Sequence, residues 1–124
     1  MTREDMIDVA KKAVHYQDIG DAESQITLYA EDCTFMMPHL KEPLRGLDHL
    51  RNNVDEWPKS ETNIEWFVAE GNRLAMGWNW RGEGWPADTP LNRGISYFIF
   101  NNEGLIQDYE DFFDPDWATR HIEN

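Results

Sequence analysis

Five carboxylates, Glu103, Asp108, Glu110, Asp111 and Asp114, crowd the closing stretch of this chain, interleaved with Tyr109, Phe112 and Phe113. In water such a group does no more than solubilise. Enclosed by apolar side chains, its charged form is disfavoured and its pKa climbs toward neutral, so that it can both take and give a proton. If Leu105 to Phe113 is a strand, Gln107, Tyr109, Asp111 and Phe113 share one face. The local pattern does not decide which face is inner, because Ile106 and Phe112 lie on the other. Two further residues carry transferable protons. His39 sits in a Pro-flanked loop just past a short apolar run, and Tyr16 shares a helical face with Val9 and Ala13, from which its hydroxyl can reach an enclosed space. His15 and His49 read as surface or packing residues.

Other chemistries have little support. Cys33, the single cysteine, is followed by Thr34 and Phe35 and reads as a small buried apolar residue with no base beside it. Histidine, aspartate and glutamate occur as scattered singles without ligand spacing, so no metal is expected. Gly82 and Gly84 beside Trp85 form no phosphate loop, and no cofactor is expected.

Around these groups the chain supplies aromatic surface. Leu74, Met76, Trp78 and Trp80 alternate with Ala75, Gly77, Asn79 and Arg81, the clearest strand pattern present. If Trp78 and Trp80 face inward, they join Phe35, Met37, Trp66, Met76, Tyr109 and Phe113 in a wall suited to a flat, apolar or polycyclic ligand. The same side chains would serve equally well as plain core.

The elements that must position this wall follow from periodicity. Thr2 with Asp5 resembles a helix start, and Met6, Val9, Ala10, Ala13 and Tyr16 or Gln17 form a helical stripe ended by Gly20. Asp21 can cap a second helix carrying Ala22, Ile26 and Tyr29. Cys33 to Met37 reads as a short strand, and His39 to Arg45 as a loop. Gly46 opens a third helix with Leu47, Leu50, Val54 and Trp57 on one face, closed by Pro58. Ile64, Trp66 and Val68 then alternate with Asn63, Glu65 and Ala69, with Phe67 blurring the polar face; Gly71-Asn72 makes a turn, and Gly94 to Phe100 is apolar on both faces. Asn101 to Gly104 is a turn before the last strand, and a short polar tail follows Asp114-Pro115. Helices first and an antiparallel meander after define an α+β chain with its helices on one sheet face.

The totals agree with one domain over residues 1–124. Hydrophobic residues make up 40% and aromatics 13%, enough for a packed core. Eleven Lys and Arg against 24 Asp and Glu give a net charge of −13, which argues against nucleic acid and membrane surfaces as partners. The charged start Met1-Thr-Arg-Glu-Asp lacks the apolar run of a signal peptide, so a cytoplasmic location is expected. Ile95, Tyr97 and Ile99 would make the outer sheet face apolar, and a homodimer is expected from it.

Three local features resemble the nuclear-transport-factor-two-like (NTF2-like) superfamily. Gly20-Asp21 ahead of Tyr29-Ala-Glu-Asp-Cys-Thr-Phe looks like its helix, acidic turn and first strand; Leu44-Arg-Gly-Leu-Asp-His-Leu looks like its Gly-opened third helix. Glu103 to Pro115 looks like the closing strand of SnoaL-like polyketide cyclases and limonene epoxide hydrolase. The resemblance implies a cone-shaped, curved antiparallel sheet with three N-terminal helices packed over a pocket. It also implies that Asp111 points into that pocket as an acid or base, with His39, Tyr16 or Tyr109 orienting an apolar substrate. Departures fall on the chemistry itself. The Arg and Asp of the epoxide hydrolase align with Trp78 and Trp80, and the catalytic positions of ketosteroid isomerase with Ala13, Met37 and Ser96, of which Met37 and Ser96 are expected to contact substrate instead. Isomerisation, cyclisation, dehydration and epoxide hydrolysis are the expected reaction types. The alternative is a non-catalytic ligand-binding or assembly module of the same fold.

Overall fold

The computed structural model describes residues 1–53 and 60–121. Helix α1 spans Arg3–Ile19, and its start is the expected capping box: Thr2 Oγ1 accepts from Asp5 N while Asp5 accepts from Thr2 N. It ends at Gly20, whose φ of 73° is left-handed. Asp21 caps α2 (Ala22–Ile26) by accepting from Ser24 N. That helix stops sooner than expected, because Thr27 and Leu28 close it with tight turns, and Tyr29 already belongs to strand β1 (Tyr29–Met36).

Within the expected loop, Leu44–Arg45 forms a two-residue strand β2 that pairs with Thr34 and Phe35. Helix α3 (Asp48–Asn53) follows Gly46; Val54, Trp57 and Pro58, expected to continue and close it, lie outside the described residues. Strands β3 (Ser60–Glu70), β4 (Arg73–Gly82), β5 (Asn92–Phe100) and β6 (Ile106–Phe112) form the meander. The expected polar tail contains a further short helix, α4 (Trp117–His121), anchored by a Trp117 that is buried rather than solvated.

The six strands make one unclosed sheet in the order β2-β1-β6-β5-β4-β3. All pairs are antiparallel except β1 with β6, which run parallel, so the closing strand returns beside the first. This is the expected α+β cone with helices on one face, with a single parallel seam added. Asp18 of α1 accepts from both the backbone and the hydroxyl of Thr62, fastening the helix layer to β3.

Register sorts the inner face into cross-strand rows. Phe35, Tyr109, Phe98 and Leu74 lie side by side across β1, β6, β5 and β4. Together with Met6, Ala10, Cys33, Leu50, Phe100 and Ile106 they form the core. One step along, the row reads Asp111, Ser96, Met76 and Phe67; the next holds Gly94, Trp78 and Ile64, and the last Asn92, Trp80 and Thr62. The packed core therefore occupies one end of the sheet, and the rows beyond it open into a cavity.

Trp66 is placed differently from the sequence expectation. The pairing of β3 with β4 slips between Ile64 and Trp66, leaving Glu65 as an extra residue. Such a bulge reverses the alternation, since the side-chain period is two. Phe67 and Ala69 turn inward, while Trp66 and Val68 turn out and are 42% and 61% exposed. The Trp66 ring lies across Gly77, where a Cβ would come within 2.0 Å of it.

Candidate active site

A cavity of about 450 Å³ opens beyond the core, walled by the sheet, by α1 and α2, and by the segment from Phe113 to Trp117. At its inner end four side chains from three adjacent strands interlock. Ser96 Oγ donates to Asp111 Oδ1 at 2.6 Å, lies 3.0 Å from the Tyr109 hydroxyl, and accepts from Trp78 Nε1 at 2.9 Å. A hydroxyl has one proton and two lone pairs. With that proton given to an ionised Asp111, Ser96 has none left for Tyr109, whose own proton is shared between the Ser96 oxygen and the Asp111 carboxylate.

Gly94 makes this arrangement possible. The Trp78 ring fills the space its side chain would take, 2.4 Å from an added Cβ, and so reaches along β5 to Ser96. Phe35 stacks on Tyr109 at 4.7 Å and Phe98 meets it edge-on at 5.0 Å, fixing the phenol from the core side.

Burial is the largest influence on Asp111 and pushes its pKa up from 3.8 to about 6; the hydrogen bonds from Ser96 and Tyr109 pull the other way, and the Glu110 charge adds a smaller push upward. Burial and then the Asp111 charge hold the Tyr109 phenol well above its ordinary range. Tyr109 is thus a permanent donor at neutral pH, whereas Asp111 titrates close to it.

Phe35, Met37, His39, Met76, Trp78, Trp80, Ser96, Tyr109, Asp111 and Phe113, all expected at a site, line this one cavity. Tyr16 does not line it. At about 100° per residue, Gln17 continues the buried stripe of Met6, Ala10 and Ala13, and Tyr16 is turned aside toward His15. Gln17 and Val14 are the α1 residues on the wall. Trp66 is on the opposite sheet face, as described above.

Several lining residues were not anticipated, among them Gln25, Trp85, Asn92 and Trp117. Asn92 had a usable signal, since strand parity with Ser96 and Phe98 puts it on the inner face. Gln25 lies one helical turn from Ala22 and is buried with it, which the polarity of glutamine conceals. Trp85 lies over Gly82, meets Trp80 edge-to-face at 4.9 Å and stacks on Trp117 at 5.0 Å. Arg81 secures this loop by donating to the carbonyls of Trp85, Pro86 and Ala87. Among the described residues no group of three or more His, Cys, Asp and Glu could hold a metal ion. No helix among them is long and apolar enough to cross a membrane.

A curved, unclosed sheet with helices over one face is the architecture of NTF2-like proteins, and solved structures share it. An NTF2-like protein of unknown function from Burkholderia pseudomallei superposes with a TM-score of 0.80 at 16% identity, over 100% of both chains. A ketosteroid isomerase-like protein from Kribbella flavida gives 0.73 at 23% identity, covering 90% of this chain and 78% of that one. An NTF2-like protein from Cytophaga hutchinsonii gives 0.71 at 16%, covering 89% and 90%. No curated protein matches the sequence. Residues 11–109 match the SnoaL-like domain family, and the chain belongs to that family.

Proposed function

We propose that the cavity is the active site of a small-molecule enzyme working by acid–base chemistry, with Asp111 as the proton carrier. The observation that carries this reading is a carboxyl brought to a pKa of about 6 inside an aromatic cavity, held by Ser96 and Tyr109. A general acid–base is most effective when its pKa lies near the working pH. The ionised carboxylate takes a proton from an apolar substrate. The resulting carboxylic acid returns it at another position, or to a departing hydroxyl, and Asp111 ends as it began.

Isomerisation and dehydration suit this single carboxyl better than hydrolysis. Water activation calls for a polar pair on the wall, and Trp78 and Trp80 occupy the places where related hydrolases carry one. Fold alone does not choose between them. His39, at the rim, is the candidate for positioning the substrate's polar end, and Trp78, Trp80, Met76 and Phe113 for holding its flat body.

The test is proton exchange into a flat β,γ-unsaturated cyclic ketone in heavy water, followed by NMR. The expected outcome is exchange catalysed by the native protein and slowed on the order of 10³-fold in Asp111→Asn, with circular dichroism unchanged. Exchange at the native rate in that variant rejects the role of Asp111. Saturable binding of the ketone without exchange supports instead a ligand-binding module of the same fold.

A further inference from the structure

Two cavity side chains play no part in the acid–base reading. Gln25 is 2% exposed and Asn92 8%, and both line the cavity. Neither Gln25 Oε1 nor Asn92 Oδ1 has a hydrogen-bond partner among the described residues. A buried amide oxygen without a donor is unfavourable, and natural folds rarely keep one without a reason. The Gln25 side chain does hydrogen-bond to Tyr29, which leaves its oxygen as the unmatched end.

The unmatched oxygens and the charge of Asp111 lie in one lining. Asp111, Gln25 Oε1 and Asn92 Oδ1 offer lone pairs, and no Lys or Arg lines the cavity among the described residues. At the rim Asp114 already has its cation in Arg120. An anion entering would meet the Asp111 charge and no Lys or Arg to receive it. A ligand bearing N–H donors and positive charge would meet complementary groups.

Asn92 adds a location. It pairs with Trp80 across β5 and β4, and Trp80 meets Trp85, which stacks on Trp117. Tryptophan faces are the best aromatic partners of a cation. Ser96 lies four steps along β5 from Asn92, roughly 13 Å of strand, so this corner is well apart from Asp111.

We propose that the cavity takes a hydrophobic amine, its protonated nitrogen seated on Asn92 Oδ1 against Trp80 and its apolar body directed toward Asp111. The inference rests on the proposed function only in taking this cavity as the ligand site. It adds the charge of the ligand and the residue that reads it.

The experiment is calorimetric titration of the full chain at neutral pH with 2-(aminomethyl)naphthalene, 2-(hydroxymethyl)naphthalene and 2-naphthoate, which share a ring system and differ in charge. The amine is expected to bind roughly tenfold tighter than the alcohol, and the carboxylate weakest. Asn92→Leu should bring the amine down to the alcohol. Asn92→Asp, of nearly the same shape, should widen the preference, and Asp111→Asn should leave it in place. Equal affinities for all three probes, or the carboxylate binding best, overturn the amine class and leave the acid–base reading standing. Preference lost in Asp111→Asn but kept in Asn92→Leu overturns the assignment to Asn92. Failure of every probe to bind removes the cavity as a ligand site, and both readings with it.

Discussion

Asp111 concentrates the consequences of burial in one side chain. Its folded-state pKa of about 6 lies above the ordinary 3.8, so the folded protein holds this proton more tightly than the unfolded chain does. The stabilisation is fully present below the unfolded value and is lost as pH rises through about 6, roughly 3 kcal/mol in all. Urea denaturation of the native protein and of Asp111→Asn should therefore show the native protein losing ground by that order between about pH 4 and about pH 7. A difference that does not vary with pH would place the carboxyl in solvent. Ser96 works against burial by donating to the carboxylate. Ser96→Ala should raise the Asp111 value by about one further unit, seen as an upward move of the acidic limb of the pH–rate profile or in a carboxyl-carbon NMR titration.

At the scale of elements, the site depends on the register of β4, β5 and β6 and on one missing side chain. Gly94→Ala would put a Cβ 2.4 Å from the Trp78 ring and 2.8 Å from the Phe112 carbonyl oxygen, atoms that cannot both give way. The expected cost is about 1–3 kcal/mol, together with loss of the Trp78–Ser96 bond and of turnover. Denaturation and activity on the same samples check this. Gly71→Ala is the contrast, because its Cβ would point into open space and only the left-handed φ of 60° is strained. It should cost about 1–2 kcal/mol and leave turnover per folded molecule unchanged.

For the molecule as a whole, the outer sheet face poses the open question. Trp66, Gly77, Ile95 and Phe112 align across β3, β4, β5 and β6 as one row, and Trp66, Ile95 and Phe112 are 42%, 39% and 50% exposed. Contiguous apolar surface of this kind marks an interaction site, and a homodimer is the proposal it supports. Sedimentation at micromolar concentration should report a dimer, and Trp66→Glu a folded monomer; a monomeric native protein would refute it. The charge of −13 works at this scale too, drawing cations and repelling anions on approach to the cavity.

Local chemistry was enough to read much of this protein from its residues. The Thr2–Asp5 capping box, the Gly20 stop and the alternation of Met76, Trp78 and Trp80 depend on neighbours a few positions away, and those neighbours are visible in the sequence. The order of elements and the closing stretch pointed to the cone and singled out Asp111. Trp66 and Tyr16 show where that reading stops. One was turned outward by an extra residue at Glu65, at which an apolar Phe67 on the polar face only hinted, and the other was set aside by a fraction of a helical turn. Ser96 was expected to touch substrate, but the place of its hydroxyl between Trp78, Tyr109 and Asp111 was set by packing alone. Likewise the unmatched oxygens of Asn92 and Gln25 show only in the tertiary structure, although strand parity already sets Asn92 on the inner face. Hydrogen bonds between strands, and the lack of them, depend on which residues the fold makes neighbours, and that is settled by register and burial over the whole sheet.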